Sequence, residues 1–411
     1  MKILIVSQYF WPEVFRINEL AAGLQARGHE VTVLTGLPNY PEGRFFKGYN
    51  FFTPRKETYQ GIKIVRVPLL PRGSNRKFGL IMNYLSYVFF GCLLGSFYCR
   101  GHYDLIFVAQ YSPFTVGIPA VLLKWLKKVP LMFWVQDLWP ESLIATHSVH
   151  SGLVLKAVTR MVRFIYRQCD RILVQSKGFI PNVASLGAEP EKILYFPNWA
   201  GEARLDKFAG PSQPIAGLPE GFRLVFAGNI GVAQDFETIL AAMEQLDQYP
   251  DIHLVVVGEG RQGNWVKKQL PLQGLTNKVH LIGQRPITEM PAYFAAADAL
   301  LVTLKAEPIF ALTIPTKVQS YLACGKPIIA ALNGEGAKVI VEAGAGLTCP
   351  SSDAIALAGI IKNVYKMSAQ ERENMGAKGK KYYQNNFDYS RLIIKLEEYI
   401  NELCRKEQSC A

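Results

Sequence analysis

The chain has 411 residues, of which 49% are hydrophobic and 19% are charged, and its formal net charge is +12. These proportions predict two globular domains with real cores and exclude a fibrous or disordered chain. The seven cysteines are odd in number, scattered and without a Cys-x-x-Cys pair, which favours reduced thiols in a cytoplasmic setting over a zinc module or a disulfide framework.

The excess of positive over negative charge lies entirely in one half of the chain. Residues 1–200 hold 23 Lys and Arg against 11 Asp and Glu, whereas residues 201–411 hold 22 of each. A basic half beside a neutral half predicts an anionic partner at one end of the molecule. Nucleic acid, anionic lipid and a phosphate-bearing substrate all satisfy the charge alone.

The N-terminal segment predicts the first strand of a parallel sheet. Its apolar run, residues 3–6, is too short for a signal peptide, and no small-residue cleavage site follows. A helix-spaced apolar pattern over residues 17–24 and a second strand at residues 31–34 come next. Such alternation predicts an α/β domain with helices on both faces of the sheet and ligand-binding loops at the carboxyl ends of the strands.

Two early loops combine aromatic, proline and polar residues. They are residues 8–18 (QYFWPEVFRIN) and residues 38–43 (PNYPEG). This composition suits stacking against a sugar ring, and rigid turns are the alternative interpretation. The candidate sugar-binding residues in these loops are Tyr9, Trp11, Glu13, Arg16, Asn39, Tyr40 and Glu42.

Residues 78–99 form an uncharged run of 22 residues. That length suits a membrane-spanning helix, a helix resting on a membrane or a buried helix, and all three interpretations stay open. Arg76 and Lys77 precede the run and Arg100 follows it, so the positive-inside rule assigns no orientation.

A second segment has the pattern of a basic amphipathic helix. Lys156, Arg160, Arg163 and Arg167 are spaced by four, three and four residues, so they lie on one helix face. Apolar residues lie on another face, namely Val154, Val158, Met161, Val162 and Ile165. The pattern favours an anionic lipid interface, with the solvated outer face of a core helix as the alternative.

The loop at residues 134–141 follows a strand and contains aromatic residues and two carboxylates. Gln136 and Asp137 are its candidate sugar-binding residues. Asp137 has three possible roles, which are to bind a sugar hydroxyl, to act as a base or to cap the next helix.

The second half repeats the alternating pattern after a stretch rich in Gly and Pro at residues 210–221. The strand and glycine turn at residues 226–231 can present backbone N–H groups to a diphosphate. Residues 258–263 (GEGRQG) match the dinucleotide fingerprint literally and are the best evidence for a rival class, the nicotinamide oxidoreductases. However, the strand at residues 279–285 lacks the acidic residue which that fingerprint requires.

The stretch from Phe310 to Pro327 predicts an anion site. It follows a strand at residues 299–304 and a loop with Lys305 and Glu307. A helix start near Thr316 with Lys317 beside it attracts anions, while Gly325 ends the helix. An ordinary helix between two strands is the alternative.

This stretch also carries a family resemblance. The run Thr-Ile-Pro-Thr-Lys ending at Lys317 and the tail Tyr-x-Ala-x-Gly-Lys-Pro ending at Pro327 resemble the donor-binding segment of retaining family 4 glycosyltransferases of the WbuB type, which serve O-antigen and capsule synthesis. The resemblance covers nearly the whole chain. It implies the GT-B fold, an α/β architecture of two Rossmann-like parallel-sheet domains facing across a cleft.

The implied domains have these bounds. Residues 1–200 form an acceptor-binding domain, in which the candidate sugar-binding residues of the three loops become acceptor-binding residues. Residues 201–221 form a linker and residues 222–385 a nucleotide-sugar-binding domain. Residues 386–411 form a C-terminal helix that returns to the first domain.

The chain departs from the family pattern at several positions. Asn229 and Gln234 stand where an Arg and a Lys are usual, and Leu312 and Ser320 stand where two Glu are usual. Gln136-Asp137 replaces His-Asp, and the first loop lacks a Gly-Gly pair. The resemblance implies Lys317, Asp137 and Glu307 as catalytic candidates. The implied donor-binding residues are Gly228, Asn229, Gln234, Glu259, Arg261, Gly283, Lys305, Thr313, Ile314, Pro315, Thr316, Lys317 and Ser320.

The resemblance implies transfer of a sugar, such as N-acetylfucosamine or another amino-deoxy hexose, from a UDP-sugar. The implied acceptor is a polyprenyl-diphosphate-linked saccharide at the inner face of the inner membrane. No cofactor and no metal are expected, because the chain has no Asp-x-Asp pair and its histidines, including His147 and His150, lack convincing ligand spacing. Two other classes stay open. One is an NAD-dependent oxidoreductase or sugar-nucleotide epimerase, and the other is a basic nucleic-acid-binding protein. An epimerase would need tightly bound NAD and a Tyr-x-x-x-Lys pair, which we expect the chain to lack.

Overall fold

The computed structural model describes residues 1–53, 55–73, 77–145, 151–200, 215 and 217–410. These residues fold into two compact units. The first unit comprises residues 1–197 and 392–411, and the second comprises residues 198–391. Most of the predicted linker, together with His147 and His150, lies outside the described residues.

The first unit is built on an eight-stranded sheet. Its strands are β1 (Lys2–Val6), β2 (Glu30–Gly36), β3 (Lys56–Tyr59), β4 (Ile62–Val67), β5 (Leu105–Gln110), β6 (Leu131–Val135), β7 (Arg171–Val174) and β8 (Ile193–Tyr195). Its helices are α1 (Arg16–Ala26), α2 (Lys77–Tyr98), α3 (Gly117–Lys127), α4 (Glu141–Ala145), α5 (Gly152–Gln168) and α6 (Ile180–Ser185).

The strand order in this sheet is β3-β4-β2-β1-β5-β6-β7-β8. Strands β1, β5 and β6 are apolar runs buried along nearly their whole length, as expected for central strands covered on both faces. The neighbouring strands pair in parallel except for β3 with β4. The antiparallel edge strand β3 was not predicted, because its sequence Lys-Glu-Thr-Tyr shows no apolar run.

The second unit has a six-stranded parallel sheet in the order β11-β10-β9-β12-β13-β14. Its strands are β9 (Phe222–Ala227), β10 (Ile252–Val257), β11 (Val279–Gly283), β12 (Ala299–Thr303), β13 (Ile328–Ala331) and β14 (Gly346–Cys349). Its helices are α7 (Phe236–Glu244), α8 (Gly263–Leu272), α9 (Met290–Ala296), α10 (Pro308–Ala311), α11 (Thr316–Cys324), α12 (Glu335–Glu342), α13 (Ala354–Lys366) and α14 (Ala369–Asn386). Apolar clusters on both faces of the sheet form its core.

The last helix, α15 (Tyr389–Cys410), follows α14 after a break at residues 387–388. Glu397 on α15 accepts hydrogen bonds from Arg27 Nε at 2.8 Å and pairs with His29 Nε2 at 2.9 Å. Arg27 and His29 belong to the first unit, as do residues 392–411 of α15.

Helix α2 is long and apolar enough to cross a membrane, judged by length and composition alone. Only 28% of its most apolar stretch is buried inside the protein. The interpretation of α2 as a helix enclosed in the core is therefore wrong.

Candidate active site

Helix α11 begins beside a cavity of about 420 Å³ in the second unit. Pro315 precedes its first residue in an extended conformation, and no described side chain caps the first turn. The helix ends at Gly325, whose backbone is left-handed with φ of 68°. The predicted helix start and stop are confirmed. The Val318 N–H donates to the Pro315 carbonyl at 2.9 Å, which leaves the N–H groups of Thr316 and Lys317 available to an anion in the cavity.

Lys317 in the first turn of α11 lines this cavity. Its Nζ atom is buried, lies 3.5 Å from the ring centroid of Phe226, and has no hydrogen-bonding partner in the described part of the chain. Ser320 one turn later also lines the cavity, and its buried Oγ likewise lacks a described partner. Buried polar atoms are almost always hydrogen-bonded, so the pair marks a place where a ligand fits.

The environment of Lys317 weakens its charge when the cavity holds no anion. Burial lowers the pKa of Lys317 from 10.5 to about 7. The ring of Phe226 offers an attractive face to the ammonium group, but no described carboxylate pairs with it. A bound anion would restore the charge, because a nearby opposite charge favours the ionised form of an amine.

Glycine turns at the ends of β9 and β10 form another wall of the cavity. Gly228 and Gly258 both line it. Gly258 has φ of +142°, and a Cβ atom there would lie 2.1 Å from the carbonyl oxygen of Gly228. A Cβ atom at Gly228 would lie 3.2 Å from Lys317 Nζ. Only glycine permits this packing, which brings backbone close to the Lys317 amine.

The cavity gathers several of the predicted donor-binding residues. The predicted residues that line it are Gly228, Asn229, Glu259, Thr316, Lys317 and Ser320. Gly283 lies next to them, because Glu259 Oε1 is 3.8 Å from the position of a Cβ atom on Gly283. The cavity therefore combines backbone turns, a helix N-terminus, an amine and a carboxylate.

Other predicted donor-binding residues make contacts within the protein. Gln234 Oε1 accepts a hydrogen bond from Gly231 N at 3.1 Å. Lys305 Nζ lies 3.8 Å from the carboxylate of Glu237. Arg261 is exposed. These side chains do not line the cavity in this structure.

The loop between β12 and α11 holds the remaining predicted residues. Thr313 Oγ1 donates to the Ile309 carbonyl at 3.1 Å, and the Ile314 side chain is buried in the core. Glu307 precedes α10, and its carbonyl accepts the Phe310 N–H at 3.0 Å. Among these residues and Pro315, none lines the cavity.

Sequence reasoning missed the apolar wall of the cavity. Ile287, Met290, Pro291 and Phe294 line it together with Tyr321, whose hydroxyl accepts the Ala227 N–H at 3.1 Å. The exposed polar residues Gln284 and Arg285 follow β11 and also line it. The available signal was their position directly after the carboxyl end of a strand.

In the first unit, Glu13 connects the two predicted acceptor loops. Its Oε1 accepts the N–H groups of Asn39 and Tyr40, both at 2.8 Å, although its side chain is almost fully buried. Burial raises the pKa of Glu13 to about 7, while these backbone hydrogen bonds and the charge of Arg66 oppose that rise. Glu13 thus fixes the position of the second loop.

The aromatic residues of these loops stack mainly on other protein rings. Tyr9 is buried and lies 5.1 Å from Phe15, measured between ring centroids. Trp11 stacks on Tyr59 at 4.6 Å. Tyr40 is exposed, with the Arg72 guanidinium 5.2 Å from its ring centroid. Its ring also lies 5.7 Å from that of Tyr9 and 5.3 Å from that of Phe15, so the 39% of Tyr40 that is exposed is the part open to a sugar.

The polar residues of the two loops differ in their exposure. Asn39 is buried and its side-chain amide donates to the Leu37 carbonyl at 3.0 Å. Arg16 is half-buried at the start of α1. Glu42 is exposed and pairs with Arg44 at 2.9 Å.

Asp137 follows β6 and is half-buried. Its carboxylate makes no hydrogen bond or ion pair with the described residues, and burial raises its pKa to about 7. The first backbone N–H groups of α4 donate to the carbonyls of Leu138 and Pro140 and not to the Asp137 carboxylate. The interpretation of Asp137 as a helix cap is therefore wrong. The neighbouring Gln136 is buried, and its carbonyl accepts from Gln175 Nε2 at 3.0 Å.

The residues that an oxidoreductase, an epimerase or a metal-dependent enzyme would need do not have the arrangement that those reactions require in the described part of the chain. Residues 258–263 connect β10 to α8, but no carboxylate stands at the end of β11. The expectation that the chain lacks a Tyr-x-x-x-Lys pair is wrong, because Tyr59 and Lys63 have this spacing. However, they flank the turn between β3 and β4, and Lys63 pairs with Glu30. No group of three or more His, Cys, Asp or Glu among the described residues is placed to hold a metal ion.

Comparison with known families identifies the class of this fold and site. Residues 14–199 match the model of the glycosyl transferase 4-like domain, and residues 215–382 match that of the glycosyl transferases group 1. The chain belongs to the family 4 glycosyltransferases of the GT-B fold.

The curated relatives are glycosyltransferases too. A probable glycosyltransferase, WbjE of Pseudomonas aeruginosa, is 28% identical over 64% of this chain and 66% of its own length. The putative colanic acid biosynthesis glycosyl transferase WcaI of Escherichia coli is 25% identical over 79% of this chain and 82% of its own length.

Solved structures share the fold. Sucrose-phosphate synthase of Thermosynechococcus elongatus superposes with a TM-score of 0.74 at 18% identity, covering 98% of each chain. Anabaena HepE, solved with UDP, gives a TM-score of 0.67 at 16% identity and covers 98% of this chain and all of its own. These likenesses confirm the predicted GT-B fold.

Proposed function

We propose that this glycosyltransferase moves a sugar from a UDP-sugar to a polyprenyl-diphosphate-linked saccharide in the synthesis of O-antigen, capsule or exopolysaccharide. The name of WcaI refers to colanic acid synthesis, and the similar structure of WaaG is described as acting in lipopolysaccharide synthesis. The similar HepE structures contain UDP or UDP-glucose. An amino-deoxy hexose such as N-acetylfucosamine is the proposed transferred sugar, on the basis of the WbuB-type resemblance.

The amine of Lys317, which is buried and has no partner among the described residues, carries this proposal. It lies at the N-terminus of α11, beside the Gly228 turn, in a cavity of about 420 Å³. An ammonium group, a helix N-terminus and open backbone turns are the groups that bind a diphosphate. The apolar lining around Met290 and Phe294 offers the kind of surface on which a nucleobase packs.

The same groups would assist the chemical step. When the bond between the sugar and the diphosphate breaks, negative charge grows on the leaving UDP. Lys317 and the first-turn N–H groups of α11 stabilise that charge at a site that needs no reorganisation. We propose that these groups act without a metal ion, because the sequence has no Asp-x-Asp pair.

The proposed acceptor site lies in the first unit. Tyr40 contacts the sugar of the acceptor, and Glu13 holds the Tyr40 loop in place. Asp137 accepts the proton of the attacking hydroxyl, since its pKa of about 7 matches the requirement for a base at neutral pH. The lipid-linked acceptor places the enzyme at the cytoplasmic face of the inner membrane.

A thermal shift screen with UDP, GDP, dTDP, ADP and NAD tests the donor. A ligand at about 100 times its dissociation constant adds roughly 2.7 kcal/mol of stability. We expect stabilisation by UDP that is lost in Lys317→Met and kept in the exposed control Lys267→Met. Stabilisation by NAD alone would support an oxidoreductase, and salt-sensitive binding of DNA or RNA without UDP binding would support a nucleic-acid-binding protein.

A further inference from the structure

The outward face of α2 is a continuous apolar stripe. Its members recur every three or four residues, and each is between 53% and 74% exposed. They are Phe78, Ile81, Leu85, Phe89, Leu93 and Phe97. The solvated face of an ordinary surface helix carries charged residues, whereas residues 78–99 contain none. Exposed apolar surface of this extent marks a binding surface.

The stripe continues onto neighbouring helices. Helix α2 packs against α3, and α3 packs against α5. Trp125 on α3 is 52% exposed and lies 6.1 Å from Phe164 of α5, measured between ring centroids. Leu126 on α3 and Leu153 on α5 are also exposed. Together these side chains and the α2 stripe form what we call the apolar platform.

Basic side chains border the apolar platform. Lys156, Arg160 and Arg167 of α5 are exposed, on the same side of that helix as Leu153 and Phe164. The Arg100 guanidinium, at the end of α2, lies 4.0 Å from the ring centroid of Phe97. This combination of exposed apolar and cationic groups complements an anionic bilayer, whose interface offers both acyl chains and negative headgroups.

The inner face of α2 is fixed to the acceptor loops. Asn83 is fully buried, accepts from Gln8 Nε2 at 2.7 Å and donates to the Leu70 carbonyl at 2.6 Å. Ser86 Oγ accepts the Leu70 N–H at 2.9 Å. A helix crossing the bilayer would have to break these bonds inside the first unit. The contacts therefore favour an α2 that lies in the plane of the interface.

We propose that the apolar platform docks the first unit on an anionic lipid surface, with α2 parallel to the membrane plane. The inference rests on the proposed function, because a lipid-linked acceptor is held in the bilayer. Asn83 then connects the docked helix to Gln8 and to the loop of Asn39, whose Oδ1 lies 3.3 Å from Asn83 Nδ2. Docking thus presents the acceptor loops at the height of the lipid headgroups.

Vesicle sedimentation of the full-length protein tests this docking. We expect wild type to bind vesicles rich in phosphatidylglycerol and to remain unbound with phosphatidylcholine alone. Leu85→Glu with Phe89→Glu should abolish binding. Lys156→Gln with Arg160→Gln should weaken it by about tenfold or more, because each basic residue near an anionic surface contributes about fivefold.

Matched controls come from the second unit. Leu272→Glu with Ile355→Glu alters two apolar residues that are more exposed than Leu85 and Phe89, and Lys267→Gln with Lys268→Gln removes two exposed charges. Both control variants should bind vesicles like wild type. UDP binding of every variant, measured by calorimetry, should stay at the wild-type value, so a failure of docking is separable from a failure of the proposed donor site.

Three results would overturn the proposal. Equal vesicle binding by the platform and control variants would show that another surface binds lipid. Membrane-bound protein that resists extraction by alkaline carbonate would show that α2 spans the bilayer. A wild-type dimer that becomes monomeric on Leu85→Glu with Phe89→Glu, without loss of vesicle binding, would show that a second copy of the chain covers the platform.

Discussion

Lys317 Nζ lies 3.5 Å from the ring centroid of Phe226, and no described carboxylate neutralises it. The fold thus keeps an amine in an apolar setting, where its neutral and charged forms are close in free energy near neutral pH. A diphosphate ligand would change that balance in favour of the charged form. Both the stability of the unliganded protein and the binding of its proposed donor therefore depend on the charge of Lys317.

Replacing Lys317 by Met should stabilise the unliganded protein near neutral pH. The folded pKa of about 7 is below the unfolded value, so the unfolded state binds more protons between about pH 7 and pH 10.5. Wild-type stability therefore rises with pH across that window. Urea denaturation should show an advantage of about 3 kcal/mol for Lys317→Met at pH 7 that shrinks towards pH 10.

The control for this measurement is Lys267→Met, which alters an exposed lysine of the same unit. It should follow the wild-type pH dependence throughout. An advantage of Lys317→Met that stayed constant from pH 7 to pH 10 would contradict a depressed pKa for Lys317.

Asp137→Asn should reduce sugar transfer by about a hundredfold or more and leave UDP binding unchanged, because it removes the proposed base. Wild-type turnover should rise with pH through about 7, the pKa set by burial of Asp137. Steady-state kinetics with a UDP-sugar and a lipid-linked acceptor provides the measurement. Glu244→Gln, an exposed change, is the control.

The same substitution has a stability signature. The folded pKa of Asp137 lies above its ordinary value of 3.8, so this group's contribution to stability is lost as the pH rises from about 4 to 7. Asp137→Asn should therefore be more stable than wild type at pH 8 and should lose this advantage below pH 4. An unchanged difference between the two proteins across this range would refute burial as the cause of the shift.

Glu13→Ala should destabilise the first unit by about 2–4 kcal/mol, since it leaves the N–H groups of Asn39 and Tyr40 without their acceptor. Glu13→Gln keeps an oxygen at this position and should cost less than about 1 kcal/mol. Denaturant unfolding measures both effects. Only the Ala variant should also raise KM for the acceptor, and equal effects of both variants would argue against a positioning role.

Gly258→Ala should destabilise the second unit by about 3 kcal/mol or more, because a Cβ atom would meet the Gly228 carbonyl oxygen at a φ that side chains rarely adopt. Gly274→Ala is the matched control, since Gly274 also has positive φ but no atom of the described residues lies within 4 Å of the added atom. Its expected cost is about 1 kcal/mol. Thermal unfolding with and without UDP measures the loss of stability in both variants. Similar losses in the two variants would show that backbone strain, and not the clash with the Gly228 carbonyl, causes the effect.

Local signals in the sequence were enough to predict much of the second unit. Gly325 and Pro327 mark the end of α11, and the break at Phe387 separates α14 from α15. Glycines also mark the turns after β9 and β10, because few other residues adopt those backbone angles. These features depend on residues that are close together in the chain.

The remaining features depend on contacts between distant residues. No pattern near Glu13 indicates that it accepts hydrogen bonds from the loop at Asn39, or that Asn83 in an apolar run bonds to Gln8. The apolar wall of the cavity comes from α9, whose residues look like an ordinary core helix in the sequence. The exposure of the α2 stripe is likewise a property of packing, because an apolar run alone does not show which face is covered.

Calorimetric titration of UDP into wild type and Lys317→Met tests the central claim most directly. We predict that wild type binds UDP and takes up protons near pH 8, because the anion raises the pKa of Lys317. Lys317→Met should bind at least about tenfold more weakly, a loss of about 1.4 kcal/mol, without that proton uptake. Equal affinities and equal proton uptake in the two proteins would show that Lys317 is not part of the donor site.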